Sequence, residues 1–427
     1  MFSKKTIRDI DLNNKTVLLR TDYNVPLVDG QITDDFRIKK TLDTINYLLS
    51  KDARIVICSH LGRPEGKVDN SLSLFPIAKH LKTLLHKELE FVTDCVGEKV
   101  QKAKSNLKPG EILLLENLRF NPGEEANSAE FAKELAQGVD VFVQDAFAVV
   151  HRKHASTSAI TQLLPSVAGL LLEKEVDIIS GAMQDPERPL TAIVGGAKIV
   201  DKIDILERFI AIADVLIVGG AMANTFLRAS GIEVGLSLIS QEEIPLARDI
   251  IRKCDTERKK RNFIFSLPFD GVVSNDMKIN LPTRIVDWST NIIADIEYYP
   301  KRPPKLASQI KKNEQILDIG PFSGSFGAGI IQLSKTVIWN GTMGVTEIEG
   351  YHHQIGPFAH GTDLIIQAIL GDFGHKPFSI VGGGDTVGYI ENRHLEEGID
   401  HLSTGGGASL ELMSGHSLPG VSDLLDK

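Results

Sequence analysis

Short, unbroken apolar runs, each breaking into a polar or glycine-rich loop and then a helical stretch, recur along this chain. In the first third, residues 17–22 lead into Tyr23-Asn24-Val25-Pro26, and 54–58 into Ser59-His60-Leu61-Gly62-Arg63-Pro64. Residues 112–115 lead into Glu116-Asn117-Leu118-Arg119, and 139–143 into Gln144-Asp145-Ala146-Phe147. A strand with one wet face alternates in polarity, whereas a strand covered on both faces is apolar throughout. Separated by amphipathic segments such as 41–50, the runs predict parallel strands with helices on both sides. A second series occupies 190–194, 215–218, 263–267, 336–339 and 378–381. A chain of 427 residues also exceeds the size at which one core stops growing. The expected fold class is α/β: two doubly wound parallel-sheet domains, bilobal about a central cleft, joined by a long interdomain helix read from the amphipathic stretch 169–179. The proline-rich stretch 276–304 has no clear period and is expected to wander over the surface.

Ligands of such sheets bind beyond the carboxyl ends of the strands. Those ends carry His60, Arg63, Arg119, His151, Arg152 and His154, with Arg37 in the loop after the first strand. On a chain of net charge −9 this is a local cationic pocket, and the planar fork of arginine suits carboxylate and phosphate groups. The implied ligand is small and strongly anionic. The same net charge argues against nucleic acid as a partner, and the one basic run, Arg258-Lys259-Lys260-Arg261, reads as a solvated face.

The second half carries glycine turns. Ser379-Ile-Val-Gly-Gly-Gly-Asp-Thr-Val-Gly-Tyr-Ile-Glu391 reads as strand, tight turn and helix start, where glycines admit a ligand to the backbone and the first free N–H groups of the helix face an anion. Asp385 supplies a carboxylate where a phosphate-bound cation would lie. The same form recurs at 193–198, 217–222 and 402–408, and four such turns suggest a single polyphosphate site.

Cys58, Cys95 and Cys254 are widely separated, without metal-ligand spacing or a disulfide framework, which fits a reducing, cytoplasmic setting. Met1-Phe-Ser-Lys-Lys-Thr6 lacks the apolar region of a signal peptide, and no apolar run approaches the roughly 20 residues that span a bilayer. No membrane partner is expected.

Eight segments in order resemble the phosphoglycerate kinase family along nearly the whole chain: Asp22-Tyr-Asn-Val-Pro26, Ser59-His-Leu-Gly-Arg-Pro64, Leu115-Glu-Asn-Leu-Arg-Phe120, Asp145-Ala-Phe147 with His151-Arg152, Gly195-Gly-Ala-Lys198 with Asp201-Lys202, Trp339-Asn-Gly341, Gly382-Gly-Gly-Asp-Thr386 and Ser403-Thr-Gly-Gly-Gly-Ala-Ser409. The resemblance implies a monomeric glycolytic enzyme that uses Mg2+ to move a phosphoryl group between 1,3-bisphosphoglycerate and ADP, giving 3-phosphoglycerate and ATP. It divides the chain into a triose-phosphate domain at 1–172, a connecting helix at 173–185 and a nucleotide domain at 186–401. The segment 402–427 then returns to the cleft and the first domain, burying Leu410, Leu412, Leu418, Val421, Leu424 and Leu425.

By the same resemblance Asp22, Tyr23, Asn24, His60, Leu61, Gly62, Arg63, Arg119 and Arg152 meet the triose, and Arg37 reaches the acyl phosphate. Lys198, Lys202, Asn340, Glu347, Gly383, Gly384, Asp385 and Thr386 meet the nucleotide, with Asp385 also the magnesium ligand. Arg37, Lys198 and Gly406 act on the phosphoryl group in flight. The chain departs from the family's pattern at Thr342 and Thr346, where a proline and a phenylalanine are usual beside the nucleotide, and at Ala148 and Val149, where a glycine and a threonine stand near the hinge. A short insertion at 350–357 brings in His352 and His353, to which no metal is assigned. The Gly-x-Gly-x-x-Gly fingerprint of dinucleotide enzymes and the Walker lysine loop are both absent. The remaining competitor is a paralogue that binds nucleotide or triose phosphate without turnover.

Overall fold

The computed structural model describes residues 2–288, 310–351 and 354–427. The chain divides into two compact units, Met1–Gly181 with Thr404–Lys427, and Ala182–Ser403. The helix Leu170–Gln184 spans the first division.

The first unit is built on strands β1 (Thr16–Arg20), β4 (Arg54–Cys58), β5 (Glu90–Phe91), β6 (Ile112–Leu114), β7 (Val141–Gln144) and β8 (Ser166–Ala168), with β2 (Leu27–Val28) and β3 (Gln31–Ile32) forming a separate hairpin. The six are parallel in the order β5-β6-β4-β1-β7-β8. Residue 17 pairs with Ile55 on one side and Val141 on the other, and residue 19 with Ile57 and Val143. Val17 and Leu19 join one core with Ile45, Leu48, Ile55 and Ile57, while Leu18 joins a second core with Val56, Leu113 and Phe142. Alternate residues of one strand thus enter two different cores, which is why the run carries no polar alternation. The helix Leu42–Leu49 buries Thr44, Ile45 and Leu48, one side of a 3.6-residue period.

The second unit repeats the plan with β9 (Leu190–Val194), β10 (Val215–Val218), β11 (Ile264–Ser266), β15 (Thr336–Asn340), β16 (Phe378–Gly382) and β17 (His401–Leu402). All are parallel, in the order β11-β10-β9-β15-β16-β17. The direction of strand addition reverses between β9 and β15, the position at which doubly wound sheets open a binding crevice.

Between β11 and β15 lies an antiparallel sheet that periodicity did not reveal: β13-β12-β14, from Asp270–Ser274 (β12), Arg284–Asp287 (β13) and Gln315–Ile319 (β14). Part of the stretch expected to wander over the surface is therefore a strand. It leads to Trp288, which is buried with Val273, Val286 and Leu227 and donates its indole N–H to the Pro268 carbonyl at 2.6 Å. Residues 289–304 of that stretch lie outside the described residues, as do His352 and His353 of the 350–357 insertion.

The sheet is tied by Arg284, whose Nε and Nη2 donate to the two oxygens of Glu314 at 2.9 and 2.6 Å. These bonds hold the Glu314 carboxyl down at about 2, against 4.5 normally. A lowered carboxyl stabilises the fold above its unfolded value and loses that contribution as pH falls through the folded one. Glu314→Gln should therefore cost about 1.5 to 3 kcal/mol near neutral pH, and the difference from the parent in urea unfolding should shrink between pH 4.5 and 2. A difference that stayed constant across that window would show that the ion pair contributes nothing.

The basic run 258–261 is not simply solvated. Arg261 donates to the Ile210 and Ala213 carbonyls at 2.5 and 2.6 Å and so closes the end of the helix Ile203–Ile212, while Arg258 donates to the Phe265 carbonyl of β11 at 2.7 Å. The segment 404–427 belongs to the first unit. There Leu418 and Leu424 are buried, Gly420 N–H reaches the Val150 carbonyl at 2.8 Å, and Lys5 N–H reaches that of Leu425 at 2.7 Å. Of the other residues expected to bury, Leu410, Leu412 and Val421 are half-buried, and Leu425 has its backbone paired but its side chain 42% exposed.

Candidate functional site

Parallel pairing puts every strand's carboxyl end on one edge of its sheet, so each unit gathers its loop residues in one place. In the first unit, Asp22 follows β1 and is 5% exposed. Its Oδ2 accepts from Arg37 Nη1 at 2.6 Å, its Oδ1 accepts from the Asn24 N–H at 3.1 Å, and His60 Nδ1 lies 3.6 Å from Oδ1. The Asn24 side chain accepts from Gly62 N–H at 2.9 Å, and the Gly62 carbonyl accepts from Arg119 Nη1 at 2.7 Å. A single chain of bonds thus runs from Arg37 through Asp22, Asn24 and Gly62 to Arg119. Arg37 sits in the short helix Phe36–Lys40 rather than in a loop.

Arg119 is 4% exposed, and its Nε lies 3.1 Å from Glu125. Arg63 is exposed, while Arg152 donates from Nε to His151 Nε2 at 3.1 Å. Burial and the charges of Arg20, Arg119 and Arg37 hold His60 well below its ordinary value. His154 is lowered to about 4 by burial and by Arg119 and Arg20. Both imidazoles are neutral at pH 7, so the pocket's positive charge resides on its arginines.

Two residues expected to touch the triose are spent on the fold. Tyr23 is fully buried, with its hydroxyl 3.2 Å from Thr41 Oγ1 and its N–H on Ser59 Oγ. Leu61 is buried, and its N–H and carbonyl are both bonded to the Asn117 side chain. A run of mixed polar and apolar residues cannot show which member turns inward; the partners that the fold brings beside it, here Thr41, Ser59 and Asn117, decide it.

In the second unit, a pocket of about 570 Å3 lies at the carboxyl ends of the strands and is bordered by Gly196, Gly220, Thr342, Glu347 and Asp385. Its apolar wall includes Leu227, Leu238, Met277 and Trp288. Thr346 is not among the residues that border it. Lys202 Nζ donates to Asn340 Oδ1 at 2.6 Å and to the Asn340 carbonyl at 3.0 Å. Burial pulls this ammonium down to about 8, against the pull of Asp385 and Asp201. Asn340 Nδ2 is buried and has no partner among the described residues, an open donor of the kind that ligand sites leave. Lys198 is exposed.

Gly383, with φ of +94°, turns the chain into the helix Gly384–Asn392, and Asp385 stands exposed in its first turn. Thr386, expected to meet nucleotide, is fully buried and accepts from Gly341 N–H at 2.9 Å, tying two turns together. Sequence reading also missed Asp318. It borders the pocket, accepts from Gly361 N–H at 2.8 Å, and has its carboxyl pushed well up by burial.

The fourth glycine turn lies in the other unit. The helix Gly406–Met413 belongs to the first unit, where a side chain at Gly407 would meet the His151 ring and one at Gly405 would meet Phe147. Three of the four turns lie in the second unit, and the turn at Gly406 lies beside the His151–Arg152 segment of the first. The reason is topological: the chain leaves the second sheet after β17.

Arginines beyond the strands of one doubly wound unit and a glycine-lined pocket in another, with the strand order of mononucleotide-binding sheets, suit a phosphotransferase. The family model for phosphoglycerate kinase matches residues 7–416. The phosphoglycerate kinases of Moorella thermoacetica and Dictyoglomus turgidum are each 44% identical, over the full length of both chains. Among solved structures, the phosphoglycerate kinase of Coxiella burnetii superposes with a TM-score of 0.81 at 35% identity, covering 98% of each chain. That of Pyrococcus horikoshii gives 0.80 at 30% identity, covering 99% of this chain and 98% of its own. The chain belongs to the phosphoglycerate kinase family. It is a glycolytic phosphotransferase with a carboxyl group as acceptor, and these likenesses lend no support to a non-catalytic paralogue. No helix among the described residues is long and apolar enough to cross a membrane.

Proposed function

We propose that the first unit takes 3-phosphoglycerate or 1,3-bisphosphoglycerate on Asp22, Asn24, His60, Arg63, Arg119 and Arg152, and that the second takes ADP or ATP in the glycine-lined pocket. The observation that carries this reading is the placement of Arg37, Arg63, Arg119 and Arg152 on segments that follow the strands of one sheet, on a chain of net charge −9. Arginine forks match carboxylate and phosphate oxygens, and a substrate bearing both groups uses several of them. Phosphoryl transfer asks for in-line positioning and for positive groups around the moving oxygens. Arg37, Lys198 and the first turn at Gly406 are assigned to that task.

On the nucleotide side, Lys202 and the open amide of Asn340 face the phosphates, Glu347 the ribose, and the backbone at Gly383 and Gly384 offers N–H groups. Asp385 is the protein's ligand for Mg2+, which would neutralise phosphate charge. No group of three or more His, Cys, Asp or Glu among the described residues could hold a metal by itself. That suits an ion bound through one carboxylate and the substrate's own phosphates. The setting is cytoplasmic and the working unit a monomer.

A coupled assay on the pure protein with 3-phosphoglycerate tests the whole reading, and absence of turnover with any nucleotide would overturn it. The same assay measures base choice. The wall of Leu227, Leu238, Met277 and Trp288 offers contact area but few polar groups, and small differences in apolar contact discriminate by about 1 to 3 kcal/mol. With Thr342 in the wall, kcat/KM for GTP should fall within about 200-fold of that for ATP. A preference for ATP far beyond that range would mean that a polar group reads the base.

A further inference from the structure

A charged residue inside an apolar strand run must be compensated where the strand is buried. Arg20 ends β1 and is 1% exposed. Its Nε donates to Ser156 Oγ at 2.8 Å, its Nη1 donates to the Thr21 carbonyl, and its Nη2 lies 3.4 Å from His60 Nδ1 and 3.9 Å from Glu124 Oε1. Glu124 is fully buried. Both of its oxygens accept from one residue: Oε1 from Ser156 Oγ at 2.6 Å, and Oε2 from Ser156 N–H at 3.0 Å. Its carbonyl accepts from Ala155 N–H at 2.9 Å, and His154 Nδ1 lies 3.9 Å from Oε1. The loop so gripped also carries Arg152.

We propose that Glu124 is a positioning residue for the triose-phosphate pocket: its buried carboxylate holds the Arg152–Ser156 loop and Arg20 in register, and through them sets where His60, Arg152 and His154 meet the substrate. This rests on the reading of that pocket as the triose site. The grip depends on ionisation, because two acceptor oxygens face two donors of Ser156. A glutamine, or a protonated Glu124, presents one acceptor and one donor; with the acceptor on the Ser156 N–H, the donor faces the Ser156 hydroxyl, whose own proton then loses its acceptor. The groups that face Glu124 are Arg20 on β1, Arg119 on the turn Leu118–Phe120, His154 and Ser156 on the loop, and the Cys58 and Cys95 thiols. Burial raises the Glu124 carboxyl, which Arg20 and the Ser156 bonds oppose.

The test is steady-state kinetics of Glu124→Gln, Ser156→Ala and Arg119→Ala over a range of pH. Glu124→Gln should raise KM for 3-phosphoglycerate by about tenfold near neutral pH, the scale of one buried bond to a charged group lost. KM for ATP should stay unchanged and kcat nearly so. The ratio of variant to parent KM should fall toward one as pH drops and the parent's own Glu124 takes up a proton. A pH-independent ratio would indicate a merely structural role and overturn the proposal, as would an unchanged or lowered KM. If Glu124→Gln does not fold, Ser156→Ala decides, since it removes the Arg20 and Oε1 links and leaves the carboxylate charged. It should raise the same KM, and an unchanged value would overturn the proposal. Arg119→Ala separates the premise: if it leaves KM for 3-phosphoglycerate unchanged, the pocket assignment has failed; if it raises KM and the other two do not, the positioning role has failed.

Discussion

Arg37→Ala is expected to lower turnover by about 10³-fold or more, the range for arginines that stabilise a phosphoryl group in transit, with only a modest change in KM for 3-phosphoglycerate. The guanidinium is already held before any ligand arrives. Its Nη1 bonds Asp22 at 2.6 Å and the Asn24 carbonyl at 3.3 Å. Its helix is anchored at Asp35, which pairs with Lys39 and with His80, each at 2.8 Å. A group fixed in advance where charge develops lowers the barrier without reorganising during the reaction. Arg119, by contrast, is bonded to Gly62 and Glu125 on the substrate-binding side, so its loss should raise KM first. Arg37→Lys should recover only part of the rate, because a point charge cannot reproduce a planar two-donor contact. Steady-state kinetics giving Arg37→Ala a raised KM and an unchanged kcat would make it an ordinary binding residue.

Gly195→Ala should strongly destabilise the second unit. A Cβ at Gly195 would lie 2.0 Å from the Thr342 carbonyl oxygen and 2.5 Å from that of Gly341. Both are backbone atoms, and Gly195 N–H is itself bonded to the Asn340 carbonyl at 3.0 Å, so relief requires prising β9 from β15 at the switch between them. Overpacking of this kind against atoms that cannot rotate away costs about 3 kcal/mol or more. In a unit of this size that is about 6 °C or more in melting temperature. Calorimetry should show the loss, and nucleotide affinity should fall with it because Thr342 borders the pocket. A midpoint within a degree or two of the parent would mean that the two turns can separate freely.

The apolar strand runs were legible because burial on both faces leaves a strong mark: Val17, Leu18 and Leu19 are all apolar only since each has a core to enter. The edge strands Glu90–Phe91 and His401–Leu402 are two residues long and have no period to read. The antiparallel sheet escaped for another reason. Its strand Arg284–Asp287 buries Val286 alone, and its anchor is the ion pair of Arg284 with Glu314, 30 residues on.

The site divides in the same way. Sequence alone determined the α/β class, the two-domain plan, the cationic and glycine-rich loops and the family, because these depend on residue type and local spacing. Tertiary structure decided which of those residues are available. Tyr23, Leu61 and Thr386 stand inside the motifs yet face inward, while Lys202 and Asn340 engage each other across 138 residues. It also decided that Glu124 lies under the arginines and that the turn at Gly406 joins the first unit. Those outcomes turn on hydrogen bonds between groups far apart in the chain, and a buried donor or acceptor is settled by whichever partner the fold brings within reach.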